Sequence, residues 1–171
     1  MVIWLIGISG AGKTTIGKRL EEHFNNLNIK NYLLDGDEVR DLFDRDLGYS
    51  DEEREANIKR IILGAYLLDK NDIIGIVCNI APLEKLRALA RTKIIGYNEI
   101  YLKKDINMSM KNDVKGVYRE NVGKTQIVGI DATFDEPLYS DLVLEVDSLT
   151  EEETYQAVLN YIVEKYGEQY R

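Results

Sequence analysis

Eight consecutive residues carry the most specific chemical signal in the chain. Gly7-Ile8-Ser9-Gly10-Ala11-Gly12-Lys13-Thr14 matches G-x-x-x-x-G-K-[ST] at every fixed position. Glycines at those places let backbone N–H groups curve around phosphate oxygens. A helix opening at Lys13 would aim its positive end at the same anion. Lys13 can then reach the β- and γ-phosphates of a nucleotide, and the Thr14 hydroxyl can ligate Mg2+. The expected phosphate-binding residues are Gly7, Ser9, Gly10, Ala11, Gly12, Lys13, Thr14 and Thr15. The bland alternative is a Gly-rich turn that matches by chance. The apolar run before the loop and the helical pattern after it argue against that. No Asn-Lys-x-Asp guanine-reading motif is present, which argues against a GTPase.

A second group of polar residues follows. Leu34-Asp35-Gly36-Asp37 comes directly after another short apolar run. Two acids around a glycine at a strand end can orient or deprotonate an acceptor hydroxyl, or hold a metal-bound water. By itself Asp-Gly also reads as an ordinary turn with solvated acids. Downstream lie Arg40, Asp46-Leu47-Gly48-Tyr49-Ser50, Arg54, Asn57, Lys59 and Arg60. The three-residue spacing of Arg54, Asn57 and Arg60 places them near one helical face. That face could offer cations and an amide to a nucleotide, or simply be solvated.

These groups need elements to position them. Val2–Ile6 reads as a short buried strand ending in glycine. Lys13–Leu27 reads as a helix with Ile16, Leu20, Phe24 and Leu27 on one stripe. Asn31–Leu34 is a second strand, followed by a short helix over Val39–Phe43. Ser50 and Glu53 form a capping box for a helix to about Lys70. Ile73–Cys78 has the continuous apolar pattern of a strand covered on both faces. Pro82 suits the first turn of a helix through Arg91. Ile100–Leu102 and Leu142–Val146 read as further strands, with a poorly patterned helix over Ile106–Asn121 between them. Thr150 and Glu153 cap a final helix bearing Tyr155, Val158, Leu159, Ile162 and Tyr166 at helical spacing. Strands alternating with helices predict an α/β domain, with a parallel sheet of about five strands and helices on both faces. Ligands of such sheets sit beyond the carboxyl ends of the strands. The segments to watch are therefore 7–15, 35–40, 79–84 and 103–136.

Length and composition narrow the classes. At 171 residues, 44% apolar and 30% charged, the chain reads as one soluble domain spanning 1–171. The net charge of -8 argues against a polynucleotide partner. No run of eighteen apolar residues occurs, so no membrane span is expected. The first residues lack a basic n-region and do not read as a signal peptide. One cysteine, Cys78, excludes a disulfide framework and a cysteine-cage zinc site, and a reducing cytoplasmic setting is expected. Cys78 reads as a buried inert thiol. His23, the sole histidine, reads as an ordinary packed or exposed side chain on the first helix.

The motifs together resemble the adenylyl-sulfate kinase family, which phosphorylates the ribose 3′-hydroxyl of adenylyl sulfate with MgATP. The matching text is Trp4 through Thr15, Leu34-Asp35-Gly36-Asp37 with Arg40, and Asp46–Ser50 with Arg54, Asn57 and Arg60. Asp113-Val114-Lys115-Gly116-Val117-Tyr118 and Gly129-Ile130-Asp131 complete it, so the resemblance runs through nearly the whole chain. It implies a P-loop kinase-type sheet, ATP as co-substrate with Mg2+, a homodimer, and a lid near 103–136. By position, Asp35 is implied as the acid beside the acceptor hydroxyl, with Lys13 as its catalytic partner on the phosphate side. Asp37, Arg40, Tyr49, Arg54, Asn57, Ile80, Ala81, Lys115 and Ile127 are implied on the acceptor side. Tyr49 stands where the family has a Phe that stacks on the acceptor base.

Departures from the pattern gather on the acceptor side. The family's Ile-Ser-Pro is Ile80-Ala81-Pro82, and the following aromatic or His and Arg are Leu83 and Glu84. An Arg-Asp pair has become Asn112-Asp113, and the Phe that forms the second wall against the adenine is Ile127. The segment between Tyr118 and Ile127 is about two residues short of the pattern. Losing an arginine and gaining Glu84 is expected to disfavour a strongly anionic sulfate nearby. Relatives in the family phosphorylate cytidine diphosphoramidate in capsule phosphoramidate biosynthesis, so that acceptor stands beside adenylyl sulfate. Two other classes stay open: a non-catalytic nucleotide-binding module, and a P-loop kinase of a non-nucleotide small molecule.

Overall fold

A computed structural model describes residues 1–105 and 134–171. The sheet has five strands in the order β2-β3-β1-β4-β5, all parallel. They are β1 (Val2–Ile6), β2 (Asn31–Asp35), β3 (Ile74–Cys78), β4 (Tyr97–Lys103) and β5 (Leu142–Glu145). Among the described residues the helices are α1 (Lys13–Asn26), α2 (Gly36–Leu42), α3 (Asp51–Lys70), α4 (Glu84–Lys93) and α5 (Glu151–Tyr166). None of these is long and apolar enough to cross a membrane.

The strands alternate their side chains between two cores. Ile3 and Leu5 of β1, Ile74, Ile76 and Cys78 of β3, and Ile100 and Leu102 of β4 face α1 and α5. Val2, Trp4 and Ile6, Val77, and Tyr97 and Tyr101 face α3 and α4. Central strands covered on both faces must be apolar throughout, which is why β1 and β3 read as unbroken apolar runs. Parallel pairing brings the carboxyl ends of β1, β2, β3 and β4 to one rim.

The element boundaries differ from the sequence reading in instructive places. The helix expected over 39–43 begins at Gly36, because the Asp35 side chain accepts from the Asp37 N–H at 2.9 Å and caps it. Strand β2 thus passes into α2 without a turn. Pro82 is not in the first turn of α4, which starts at Glu84. The Glu84 N–H is bonded to Asp135 Oδ2 at 2.8 Å, a cap supplied from distant sequence. Strand β4 is longer than Ile100–Leu102, since its polar Asn98 and Glu99 are fully buried and break the apolar pattern. Leu27 ends α1 and is 37% exposed rather than part of the buried stripe. Both capping boxes, at Ser50 and Thr150, form as read. The helix expected over 106–121 lies outside the described residues.

Candidate active site

The loop from Gly7 to Gly12 turns over the carboxyl end of β1. Gly7 has φ +146°, and a Cβ there would lie 2.5 Å from the Leu102 carbonyl oxygen, so only glycine fits between β1 and β4. Gly12 has φ +90° and delivers the chain into α1. No side chain caps α1, and no acid lies in its first turn. By contrast, α3 and α5 each carry a capping box and three acids in the first turn. The amino end of α1 is therefore left to an anion, and those of α3 and α5 are already satisfied. Lys13 folds over the loop, its Nζ 2.8 Å from both the Gly7 and Ile8 carbonyl oxygens. Lys104, just past β4, donates to the Gly10 carbonyl oxygen at 3.0 Å and adds a second amine to the same rim. It falls within the 103–136 segment marked from the sequence but is not singled out there, since a lone lysine after a strand matches no motif.

Two strand ends meet at one hydrogen bond. Thr14 Oγ1 donates to Asp35 Oδ2 at 2.8 Å, joining the phosphate loop to the end of β2. The other carboxylate oxygen caps α2. Asp35 is thus held from both sides, with its charge beside the hydroxyl predicted to ligate Mg2+. Asp37 lies in the first turn of α2.

Next to this pair is an arginine-rich wall. Arg40 is 7% exposed and donates to the carbonyl oxygens of Leu47 and Gly48 at 3.0 and 2.8 Å. Its guanidinium lies 4.7 Å from the Tyr49 ring centroid, and that of Arg54 lies 5.6 Å from it. Arg54 Nε also donates to the Tyr49 carbonyl oxygen at 2.8 Å. Burial, and then repulsion from Arg40, lowers the Arg54 pKa, a strain that an anion would relieve. Asn57 is 2% exposed and its Oδ1 has no hydrogen-bond partner among the described residues. Its Nδ2 is 3.4 Å from the Gly36 carbonyl oxygen. The helical face expected to carry Arg54, Asn57 and Arg60 together divides here. Arg60 turns to Asp46 in a bidentate pair at 2.7 Å and lies over Phe43.

The third segment, 79–83, leaves the end of β3. Asn79 Oδ1 accepts from the Ala81 N–H at 2.7 Å. Ala81 is 1% exposed and sits at φ +45°, left-handed for a residue with a Cβ. Glu84 does not present a bare charge to the site. Its carboxylate pairs with Arg87 at 2.8 Å and with Arg91 at 3.4 Å. The charge argument against sulfate drawn from Glu84 therefore does not hold. Lys115 and Ile127 lie outside the described residues.

His23 and Cys78 take structural places. His23 Nε2 lies 2.8 Å from the Tyr170 carbonyl oxygen. Cys78 is 3% exposed, with Sγ 3.2 Å from the Lys13 carbonyl oxygen beneath the start of α1.

Residues 1–145 match the family model described as adenylylsulphate kinase. The chain belongs to the adenylyl-sulfate kinase family. It is 36% identical over 167 residues to the adenylyl-sulfate kinase of Halothermothrix orenii, covering 96% of this chain and 90% of that one. Among solved structures it resembles the Mycobacterium tuberculosis APS kinase CysC in complex with AMPPNP and APS. That match has a TM-score of 0.86 at 30% identity and covers 94% of this chain and 96% of the other. A hexameric APS kinase from Thiobacillus denitrificans matches at a TM-score of 0.73 and 25% identity, covering 96% of this chain and 29% of that chain. Membership makes this chain a P-loop phosphotransferase that acts on a hydroxyl group.

Proposed function

We propose that the protein uses MgATP to phosphorylate the ribose 3′-hydroxyl of a small nucleotide that ends in a 5′-diphosphate-like group. The observation that carries this reading is the Thr14–Asp35 hydrogen bond of 2.8 Å. It puts an acid at the edge of the phosphate loop, where an acceptor hydroxyl must meet the γ-phosphorus for in-line transfer. Phosphoryl transfer depends mainly on positioning and charge stabilisation, so Asp35 aligns the hydroxyl and need not be a strong base. Lys13 offsets charge on the equatorial oxygens. Gly7, Ser9, Gly10, Ala11, Gly12, Thr14 and Thr15 cradle the triphosphate.

Mg2+ suits the donor set. No group of three or more His, Cys, Asp or Glu side chains among the described residues could hold a metal alone. Thr14 and Asp35 offer hard oxygens only, and Mg2+ characteristically takes a few protein oxygens together with phosphates and waters. When bound with ATP, it supplies charge neutralisation on the phosphates.

On the acceptor side, Arg40 and Arg54 bind the anionic groups, Tyr49 stacks on the base, and Asn57 Oδ1 accepts a donor of the nucleotide. Asp37, Ile80, Ala81, Lys115 and Ile127 belong to the same half in this reading. Adenylyl sulfate is the acceptor that the family resemblance supports. Cytidine diphosphoramidate is the second reading, favoured by the missing hydroxyl at Ala81. An ADP-release assay with each acceptor at equal low concentration reports kcat/KM and ranks them. The assembly in this reading is a homodimer, which light scattering tests.

A further inference from the structure

We propose that Arg87 is a positioning residue for the acceptor half of the site, holding Ala81 in its left-handed conformation and thereby fixing the 80–82 backbone. Arg87 is 1% exposed, on the inner face of α4. Its charge is compensated by Glu84 at 2.8 Å and by Glu99, which is fully buried, at 3.9 Å. Charge compensation alone would need only those carboxylates. The guanidinium also spends donors on backbone away from its own helix. Nη1 donates to the Ala81 carbonyl oxygen at 2.7 Å, and Nη2 to the Asp135 carbonyl oxygen at 2.8 Å. Asp135 in turn donates its N–H to the Pro82 carbonyl oxygen at 2.8 Å and caps α4 through Oδ2.

The planar fork fixes these partners at set spacings, which a lysine ammonium cannot do. Ala81 is the residue that needs holding. An L side chain at φ +45° is disfavoured, and such strain persists only where the surroundings over-determine it. Ala81 is fixed at its N–H by Asn79 and at its carbonyl by Arg87. Without the second bond the loop relaxes toward an ordinary conformation and moves Ile80 and Ala81 relative to Asp35. Glu84 completes the device from the half-exposed side, orienting the guanidinium through Nε at 3.0 Å. Its side chain is 33% exposed, and Glu84→Gln keeps an oxygen that can accept from Nε while removing the charge.

The inference rests on the reading that 80–82 lines the acceptor nucleotide, and the test separates the two. In Arg87→Lys the acceptor KM should rise about tenfold or more while the ATP KM stays within about twofold. Glu84→Gln, the milder change, should shift the acceptor KM in the same direction by about threefold. Adding Ala81→Gly to Arg87→Lys should recover part of the loss, because glycine adopts positive φ without being held. Equal changes in both KM values, or no recovery with glycine, would show a merely structural arginine and overturn the proposal. If Arg87→Lys fails to fold, Glu84→Gln decides by the same KM split. Amide hydrogen exchange needs no acceptor at all. The Ala81 amide should exchange faster in Glu84→Gln than in the parent, and an unchanged rate overturns the clamp even if the acceptor is not a nucleotide.

Discussion

The donor and acceptor halves of the site are built in different ways. In the proposed function the donor half is one continuous stretch, Gly7 to Thr15, whose backbone would do the binding and whose lysine folds back onto its own loop. The proposed acceptor half draws on side chains of α2, α3 and segment 79–83, which follow the adjacent parallel strands β2 and β3 that end at one rim. A backbone cradle is indifferent to everything but glycine placement and a cation. A side-chain wall can be retuned one residue at a time. The departures from the family pattern fall on the acceptor side for that reason. Ala81 and Glu84 have changed, whereas the phosphate loop fits at every fixed position.

Substitutions in the two halves should therefore separate cleanly. Lys13→Ala should lower kcat by about 10²–10³-fold or more, with an unchanged melting curve. Full activity in a folded Lys13→Ala enzyme would break the donor assignment. Asp35→Asn keeps a good N-cap for α2 and removes only the charge. Its kcat should fall about 10²-fold while ATP affinity, read by calorimetry, moves little. Normal kcat there would remove Asp35 from the chemistry.

Arg54→Ala and Arg40→Ala should each raise the acceptor KM by about tenfold, the scale of a lost charge-assisted hydrogen bond, and leave the ATP KM alone. Because Arg40 also binds the Leu47 and Gly48 carbonyl oxygens, its variant should cost stability as well, seen as a lower Tm. Arg54→Ala should instead remove a guanidinium that burial, and then repulsion from Arg40, disfavours, so its Tm should not fall in the same way. Tyr49→Leu should weaken acceptor binding by about 1 kcal/mol, at the lower end for base stacking because Leu keeps apolar contact.

The smallest effect lies outside both halves. Glu55 of α3 pairs with Lys59 of its own helix and with Lys85 of α4, and the two lysines draw its pKa from 4.5 down to about 2. A depressed carboxylate contributes stability that is present above pH 4.5 and lost as pH falls toward 2. Glu55 is a surface group whose partners Lys59 and Lys85 are exposed, so solvent screens the pairs and Glu55→Gln should flatten the acid limb of a pH–Tm profile only slightly. A large change would mean the ion pair does more than surface pairs usually do.

The same contrast explains what could be read from the chain. The phosphate loop, both capping boxes and the parallel order of strands rest on local signals, and the structure reproduces them. Misreadings arose where distant residues act locally. Asp135 starts α4 at Glu84 and displaces Pro82 from its expected place. Asn98 and Glu99 are polar in sequence yet buried, because Tyr161 and Tyr166 serve the first, and Arg91, Tyr97 and Ser140 the second. That hid the first half of β4. Arg60 looked like part of a ligand face until Asp46 proved to hold it. The gathering of Arg40, Tyr49, Arg54 and Asn57 was legible only through the family pattern, since spacing alone also fits a solvated helix.

The most direct measurement is ADP release with MgATP and a nucleotide acceptor, followed by 31P NMR of the product. Adenylyl sulfate and cytidine diphosphoramidate should be run side by side. ADP release should depend on the acceptor and yield a new phosphomonoester on the ribose 3′-oxygen, with the ratio of rates identifying the acceptor. ADP release that no ribonucleotide stimulates, or a phosphate placed elsewhere than the 3′-oxygen, would contradict it.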